Sequence, residues 1–458
     1  MTRLLVKNGT VCSVEGSRRA DILAVDGVIE LIGADLDVEA DEVVDATGKL
    51  VIPGGVDVHT HLEAPVGGTV TADDFSSGTI AAAAGGTTTI IDFALQERGV
   101  RIPDAVERWH RKAESKVVID FGLHLSITDL YPTALADLPD VVRDGVTSFK
   151  IFMAYRGTLM IDDGELYRVL KAAGKLGAQV CAHAENGDVI DQLALELFGA
   201  GKVGPKSHQL SRPPSTEVEA VRRAIAIADI ADAPIYFVHL STAGAVDAVA
   251  EARHHGQPVA GETCTHYLTL GPELYDAPGF EGAKAVLTPP LRGASDRAAL
   301  WRGLSGGALS VVSSDHCPFC FEGQKEMGKH DFRAIPNGGP GIEHRMILLY
   351  AEGVVKGRIS MEKFVDLTAT TPAREFGLAP RKGSIAVGAD ADLVVLDPAG
   401  ETVISAATSK HQVDYSLWEG WQVPGRIELV YSRGDLIIRD GLCLAAPGRG
   451  RYLARSTR

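Results

Sequence analysis

Five stretches of the sequence carry side chains that could bind a metal ion. The first ends in His59 and His61, and because alternate residues of a strand share a face, both imidazoles can reach one point. Imidazole and carboxylate groups are common ligands of divalent metal ions. A single histidine or aspartate at a strand end is common, but ligand-type residues in all five stretches together predict a metal centre. The other four stretches hold Lys150, His183, His239 and Asp315.

Lys150 stands out because it is a charged residue inside the apolar run 147–153. A buried ammonium group is costly unless it is paired, and burial lowers its pKa. An ion pair with Asp315 or Glu185 would remove the cost. Alternatively, a neutral lysine amine can react with carbon dioxide to form a carbamate, a carboxylate able to bridge two metal ions. The residues alone leave both interpretations open.

All of these side chains lie in or at the end of apolar runs, which indicates a common architecture. Eight runs of strand type alternate with segments of helical spacing such as 73–84, 164–176 and 218–231. This alternation predicts an α/β fold, a (β/α)8 TIM barrel, in which the active site lies at the carboxyl ends of the strands. The runs are 50–58, 87–93, 117–126, 147–153, 178–184, 234–241, 258–267 and 309–315.

The two ends of the chain predict a second, smaller domain. Short strand-like runs fill residues 1–49, and Asn8-Gly9 after the first of them predicts a hairpin. So short a piece buries little apolar surface alone, and further strand-like runs occur at 391–396, 427–431 and 436–438. We therefore expect a β-sandwich built from residues 1–49 and 376–458, with the barrel occupying 50–375.

Composition excludes some partners. The 458 residues carry 45 basic and 60 acidic side chains, a net charge of −15, which disfavours binding to nucleic acid or anionic membranes. The N-terminal residues do not resemble a signal peptide, and no apolar run is long enough to span a membrane. Six scattered cysteines are too few for a disulfide framework, so we expect a cytoplasmic protein and interpret Cys317 and Cys320 as structural or incidental.

Motifs along essentially the whole chain resemble those of the cyclic-amidohydrolase branch of the amidohydrolase superfamily. The similarity is greatest to dihydropyrimidinases and D-hydantoinases, which hydrolyse a carbon–nitrogen bond of a cyclic amide. The motifs lie at 54–61, 85–89, 148–155, 182–186, 238–241, 262–267, 288–292, 314–318, 335–338 and 382–393.

The resemblance implies a binuclear zinc centre bridged by carboxylated Lys150. In that arrangement one ion is bound by His59, His61 and Asp315, and the other by His183 and His239. Asp315 would also transfer the proton, Tyr155 would stabilise the oxyanion, and backbone groups of Thr288 and Asn337 would hold the ring. The family more often has Ser at 288, but a backbone contact tolerates Thr. The resemblance also implies a homotetramer.

Several substrates share this chemistry. Dihydropyrimidines and 5-substituted hydantoins, which open to N-carbamoyl amino acids, are favoured. Dihydroorotases typically carry Arg where this chain has Glu63, a charge we expect to repel dihydroorotate, whereas allantoin is harder to exclude. A non-catalytic scaffold role is disfavoured because all six ligand positions are present. An apolar wall for a ring substituent is expected from Leu62, Phe93, Leu95, Phe152 and Leu159.

Overall fold

The structure, a computed structural model, describes residues 2–457. Seven short strands precede the barrel. Four of them form a sheet in the order β5-β4-β1-β6, and the other three join strands from the C-terminal end of the chain. The strands are β1 (Arg3–Lys7), β2 (Thr10–Ser13), β3 (Gly16–Arg19), β4 (Asp21–Val25), β5 (Val28–Gly33), β6 (Glu42–Asp45) and β7 (Leu50–Pro53).

The hairpin predicted at Asn8-Gly9 is wrong, because β1 and β2 lie in different sheets. Asn8 adopts a positive φ of 65°, its backbone N–H donates to Asp21, and its side-chain amide donates to Asp45. A Cβ on Gly9 would lie 2.6 Å from Val51 Cγ2. The Asn-Gly pair therefore turns the chain from one sheet into the other, and only its turn character was predictable.

Eight parallel strands form the barrel sheet, in sequence order from β8 to β15. Ser314 closes it: its N–H donates to Asp57 Oδ1 over 3.1 Å and its hydroxyl to the His59 carbonyl over 3.2 Å. The strands are β8 (Gly55–Thr60), β9 (Thr87–Leu95), β10 (Asp120–Ser126), β11 (Ser148–Phe152), β12 (Gln179–His183), β13 (Ile235–Phe237), β14 (Val259–Cys264) and β15 (Val311–Ser313).

Every residue of these eight strands is buried, which explains why they appear in the sequence as continuous apolar runs rather than alternating ones. The predicted TIM barrel is confirmed. The predicted run 50–58 proves to be two strands. Leu50–Pro53 pairs with the C-terminal strands, and Gly55–Thr60 begins the barrel.

Helices connect the barrel strands. Local sequence fixes the ends of the first, since Asp74 and Ser77 form a capping box and Gly85 follows its last residue. The α-helices are α1 (Phe75–Ala84), α2 (Ile102–Ala113), α3 (Ala134–Arg143), α4 (Asp163–Lys175), α5 (Gly187–Gly199), α6 (Lys206–Leu210), α7 (Pro214–Ala231), α8 (Ala243–His254), α9 (Thr265–Thr269), α10 (Ala294–Gly306), α11 (Arg345–Leu349), α12 (Met361–Val365) and α13 (Thr371–Glu375). Short 3-10 turns lie at Pro272–Asp276, Glu281–Ala285, Lys325–Gly328 and Phe332–Ala334, and π turns at Tyr350–Val355 and Asp366–Thr370. Within residues 2–457, none of the helices is long and apolar enough to cross a membrane.

Strands from both ends of the chain share one seven-stranded sheet, ordered β19-β18-β17-β16-β7-β2-β3. Buried apolar side chains of this sheet and of the four-stranded sheet form one cluster, as in a sandwich. We propose the two domains expected from the sequence, a barrel and a β-sandwich, but with the boundary predicted between residues 49 and 50 moved to follow Pro53, because β7 pairs within the sandwich. The C-terminal strands are β16 (Leu393–Val403), β17 (Gln422–Ser432), β18 (Asp435–Arg439) and β19 (Leu442–Cys443).

Candidate metal centre

One cavity of about 730 Å³ at the carboxyl ends of the barrel strands brings together all the site residues predicted from the sequence. Lys150 lies within β11, and His183 is the last residue of β12. The remaining ligand candidates follow or end β8, β13 and β15. The nine residues are His59, His61, Lys150, Tyr155, His183, His239, Thr288, Asp315 and Asn337.

Three of these side chains form a group that could hold one metal ion. His59 Nε2 and His61 Nε2 lie 3.1 and 3.3 Å from Asp315 Oδ1. One ligand atom from each residue lies within 4.8 Å of the other two. Two imidazole nitrogens and a carboxylate oxygen directed at one point suit a divalent metal such as zinc.

A second pair of histidines lies beside this group. His183 Nδ1 is 3.0 Å from His239 Nε2, so two ring nitrogens face each other. The His59 and His239 ring centroids are 5.3 Å apart, which places the pair next to the first group. Both histidines are buried. The arrangement therefore offers ligands on two sides of a single small space.

Two buried glutamates orient these rings. His59 Nδ1 lies 2.5 Å from Glu262 Oε1, and His183 Nε2 lies 2.8 Å from Glu185 Oε2. An ionised carboxylate only accepts hydrogen bonds, so the ring nitrogen facing it carries a proton and the opposite nitrogen is the one available to a metal ion. In both rings the opposite nitrogen is the one directed at the candidate metal site. Glu262 was missed by sequence reasoning, although it lies in the seventh strand, the kind of position that identified the histidines.

Lys150 is 1% exposed and forms no ion pair within 4.0 Å among the described residues. Its Nζ instead lies 5.1 and 5.0 Å from the ring centroids of Phe93 and Phe152. Burial lowers the pKa of Lys150 to about 8. The ion pair with Asp315 or Glu185, which the sequence allowed as one interpretation, is therefore not formed among the described residues.

Electrostatics favour lone pairs at most of the imidazoles. Burial lowers the pKa of His61 to about 4 and lowers the pKa values of His183 and His239 as well, so these rings are neutral at pH 7. Burial also opposes protonation of His59, but the carboxylates of Asp315 and Glu262 raise its pKa to about 9. The two carboxylates therefore favour a positive charge at this position, and a bound metal ion would replace the proton that His59 otherwise carries.

Three site residues have backbone conformations that non-glycine residues rarely adopt. Tyr155, His239 and Asp315 have φ values of 67°, 40° and 46°. Such conformations cost free energy and persist only where the surrounding structure imposes them. Their concentration at one cavity indicates that the fold directs these side chains inward.

Tyr155, Thr288 and Asn337 all line the cavity. Burial raises the pKa of the Tyr155 hydroxyl, while Arg212, Thr288 and Asn337 act in the opposite direction. The phenol therefore remains protonated at neutral pH and can donate a hydrogen bond. Arg212, which was not predicted, donates to Glu185 over 2.7 Å and lies 5.5 Å from the Tyr155 ring.

The apolar wall is only partly as predicted. Phe93, Leu95, Phe152 and Leu159 line the cavity, but Leu62 is buried behind it, where a Cβ on Gly78 would touch its side chain. Helix α5 contributes three apolar residues that sequence reasoning missed because nothing in their spacing relates them to the strand ends. These are Ile190, Ala194 and Leu195.

Glu63 does not face the cavity as the sequence argument assumed. Its carboxylate pairs with Lys116 and accepts a hydrogen bond from the Phe75 N–H at the start of α1. Glu63 itself has a positive φ of 50°, which turns its side chain outward. The Glu63 carboxylate is therefore not placed to contact a bound dihydroorotate, and the missing arginine remains the sequence argument against that substrate.

The chain matches the profile described as "Amidohydrolase family" over residues 50–437. It belongs to the amidohydrolase family. D-hydantoinase of Geobacillus stearothermophilus is 51% identical over 457 residues, covering 100% of this chain and 97% of that protein. D-hydantoinase of Streptomyces coelicolor is 46% identical over 461 residues, covering 100% and 98%. The crystal structure of dihydropyrimidinase from Brevibacillus agri NCHU1002 has a TM-score of 0.98 at 48% identity, covering 100% and 99%.

Membership of the amidohydrolase family makes this chain a metal-dependent hydrolase, and His59, His61 and Asp315 could bind the metal ion. The donor set fits zinc, since it consists of imidazole nitrogens with one carboxylate, and each ring that is hydrogen-bonded to a glutamate has its other nitrogen available to the metal ion.

All six cysteines are free thiols, and Cys317 lines the cavity.

Proposed function

We propose that this amidohydrolase is a dihydropyrimidinase of the D-hydantoinase type. It would hydrolyse the cyclic amide bond of 5,6-dihydropyrimidines and 5-substituted hydantoins, giving N-carbamoyl amino acids. The observation that carries the proposal is the convergence of all six ligand-type side chains on one cavity. Support also comes from relatives along the whole chain that are D-hydantoinases.

We further propose two zinc ions per chain. His59, His61 and Asp315 would hold one ion, and the facing nitrogens of His183 and His239 would hold the other. Lys150, whose amine is buried without an ion-pair partner, would be carboxylated and contribute an oxygen to each ion. The carbamate replaces a costly buried cation by an anion next to two cations, which is electrostatically favourable.

The bound zinc ions would supply an activated water at neutral pH and polarise the ring carbonyl. Asp315, ionised because His59 and its neighbours hold its pKa well below the usual range, can accept a proton and return it to the leaving ring nitrogen. The Tyr155 hydroxyl would donate to the developing oxyanion. Backbone groups at Thr288 and Asn337 would hold the amide edge of the ring.

The ring substituent would lie against the apolar part of the cavity. Phe152, Leu159 and the helix α5 residue Leu195 provide surface for a bulky group, and the cavity of about 730 Å³ leaves room for one. We therefore expect 5-aryl and 5-alkyl hydantoins to be accepted. Preference for the D enantiomer is proposed from the relatives rather than from any contact.

A direct test is a side-by-side assay of dihydrouracil, both enantiomers of 5-phenylhydantoin, allantoin and dihydroorotate. The proposal predicts the highest kcat/KM on the first two substrate classes. Highest activity on allantoin or dihydroorotate would assign the chain to another cyclic amidohydrolase. Zinc-loaded protein with no activity on any of them would favour a non-catalytic scaffold.

We also propose a homotetramer in the cytoplasm. Free thiols at all six cysteines fit a reducing compartment. Light scattering after size-exclusion chromatography should give four times the 48.5 kDa of one chain. A monomer that is fully active would refute the need for assembly.

A further inference from the structure

We propose that Lys325, which no part of the reaction scheme above uses, is the positioning residue for the substrate-binding backbone. This inference rests on the proposed function, because it concerns the two chain segments that would hold the ring. Lys325 lies in a short 3-10 turn, Lys325–Gly328, outside the barrel. It is not among the residues that line the cavity, so it acts through its neighbours.

The ammonium group of Lys325 binds three backbone carbonyls. Its Nζ lies 2.7 Å from the Val286 oxygen, 2.7 Å from the Pro336 oxygen and 2.6 Å from the Gly338 oxygen. Pro336 and Gly338 flank Asn337, and Val286 precedes Thr288 by two residues. A single side chain therefore fixes both segments whose backbone groups are proposed to contact the ring.

The geometry specifically requires a lysine. An ammonium group offers three donors, and here all three face carbonyls at hydrogen-bonding distance. The side chain is 0% exposed, so water does not compete for these bonds. Burial lowers the pKa of Lys325 to about 7, and no carboxylate lies within ion-pair distance in the described chain to offset this cost. The three backbone carbonyls are therefore the hydrogen-bond partners that stabilise the ammonium form of this side chain.

A backbone hydrogen bond also joins the two segments directly. The Gly338 N–H donates to the Val286 carbonyl over 3.0 Å, which is one direct bond between them. Gly338 has a φ of +143°, and a Cβ there would lie 2.2 Å from the Cys317 oxygen, so the segment also packs closely against the chain that follows Asp315. Lys325 therefore sets the spacing between Thr288 and Asn337, and with it the position of the ring relative to the proposed metal ions.

The test compares Lys325→Met and Lys325→Gln with wild-type protein, all loaded with zinc. Lys329→Met is the matched control, because Lys329 directly follows this turn and its side chain is 58% exposed. Kinetics on 5-phenylhydantoin, zinc content and thermal unfolding are measured for each variant. Displacing a substrate-positioning group by about 1 Å lowers the reaction rate about 100-fold.

We expect kcat/KM of Lys325→Met to fall about 100-fold, mainly through KM, with wild-type zinc content. Lys325→Gln keeps some donors and should fall between Met and wild type, while Lys329→Met should be unchanged. The proposal is overturned if both Lys325 variants keep a KM within about twofold of wild type. It is also overturned if they lose zinc in proportion to activity, or if they are less stable to heat but their KM values do not increase from wild type to Gln to Met. Wild-type protein inactive on every cyclic amide would instead refute the proposed function, before any variant is compared.

Discussion

Replacing Glu262 by Gln should weaken the metal site without touching a ligand. The Glu262 carboxylate lies 2.5 Å from His59 Nδ1, accepts from the Tyr236 hydroxyl over 2.9 Å and accepts from the His239 N–H over 3.3 Å. An amide keeps the shape but loses the charge, and one of its two ends becomes a donor. The change therefore removes the group that holds His59 in the tautomer with a free Nε2.

The size of the effect follows from the nature of this hydrogen bond. Both side chains are at most 1% exposed, and a bond to a charged group contributes about 1.5–3 kcal/mol. This corresponds to a loss of zinc affinity of about 10- to 100-fold, the range seen when outer-shell partners of metal ligands are changed. Competition with a chelator of known affinity at constant pH measures it, and kcat/KM on a hydantoin should fall in parallel.

Glu343→Gln is the matched control. Glu343 is largely buried and accepts a hydrogen bond from the Lys410 N–H over 2.6 Å, but it lies outside the cavity. Its substitution should leave zinc affinity unchanged. Equal zinc affinity in Glu262→Gln and wild-type protein would show that the ring orientation seen here does not depend on this carboxylate.

Three other changes test separate parts of the structure. Tyr155→Phe should lower kcat about 100- to 1000-fold with little change in zinc content, as loss of an oxyanion donor does, and steady-state kinetics with metal analysis would show it. Lys382→Met should destabilise the fold by about 3–5 kcal/mol in urea unfolding. In the wild-type protein the Lys382 ammonium lies 2.7–2.9 Å from the carboxylates of Asp120, Asp390 and Asp392, and the variant leaves these buried charges without their cation. Burial alone would raise the pKa of Asp120, but Lys382 and Arg433 lower it below 3.8, so the contribution of this carboxylate to stability is fully present above its ordinary pKa and is lost as the pH falls through the lowered pKa. In Asp120→Asn this part of the acid-induced loss, followed by unfolding at several pH values, should be absent.

Much of the barrel was predictable because its strands are buried on both faces. Such strands are continuous apolar runs, and the helices between them show their own periodicity. The division of run 50–58 was not predicted, since Leu50–Pro53 and Gly55–Thr60 are separated by a single residue, and the run itself does not show that they pair with different sheets. The same is true of Asn8-Gly9, where local turn chemistry gives no information about which strand is the partner.

The candidate ligands were predictable because barrel geometry brings every strand end to one face. Their supporting residues were not, for two different reasons. Glu262 is an acidic residue in a strand like many others until its distance to His59 is known. Glu63, two residues after His61, was expected in the cavity, but it has a positive φ and its carboxylate pairs with Lys116. Side-chain direction after a strand end depends on local backbone conformation that spacing does not reveal.

Lys150, the residue proposed to bridge two metal ions, is the group on which the proposed two-zinc site depends most. Metal content measured by mass spectrometry on wild-type and Lys150→Ala protein, purified in the same way, tests it directly. Two zinc ions per chain in wild-type protein, with metal and activity lost in the variant, is the expected result. A variant that keeps both zinc ions and full activity would contradict a carboxylated, bridging Lys150.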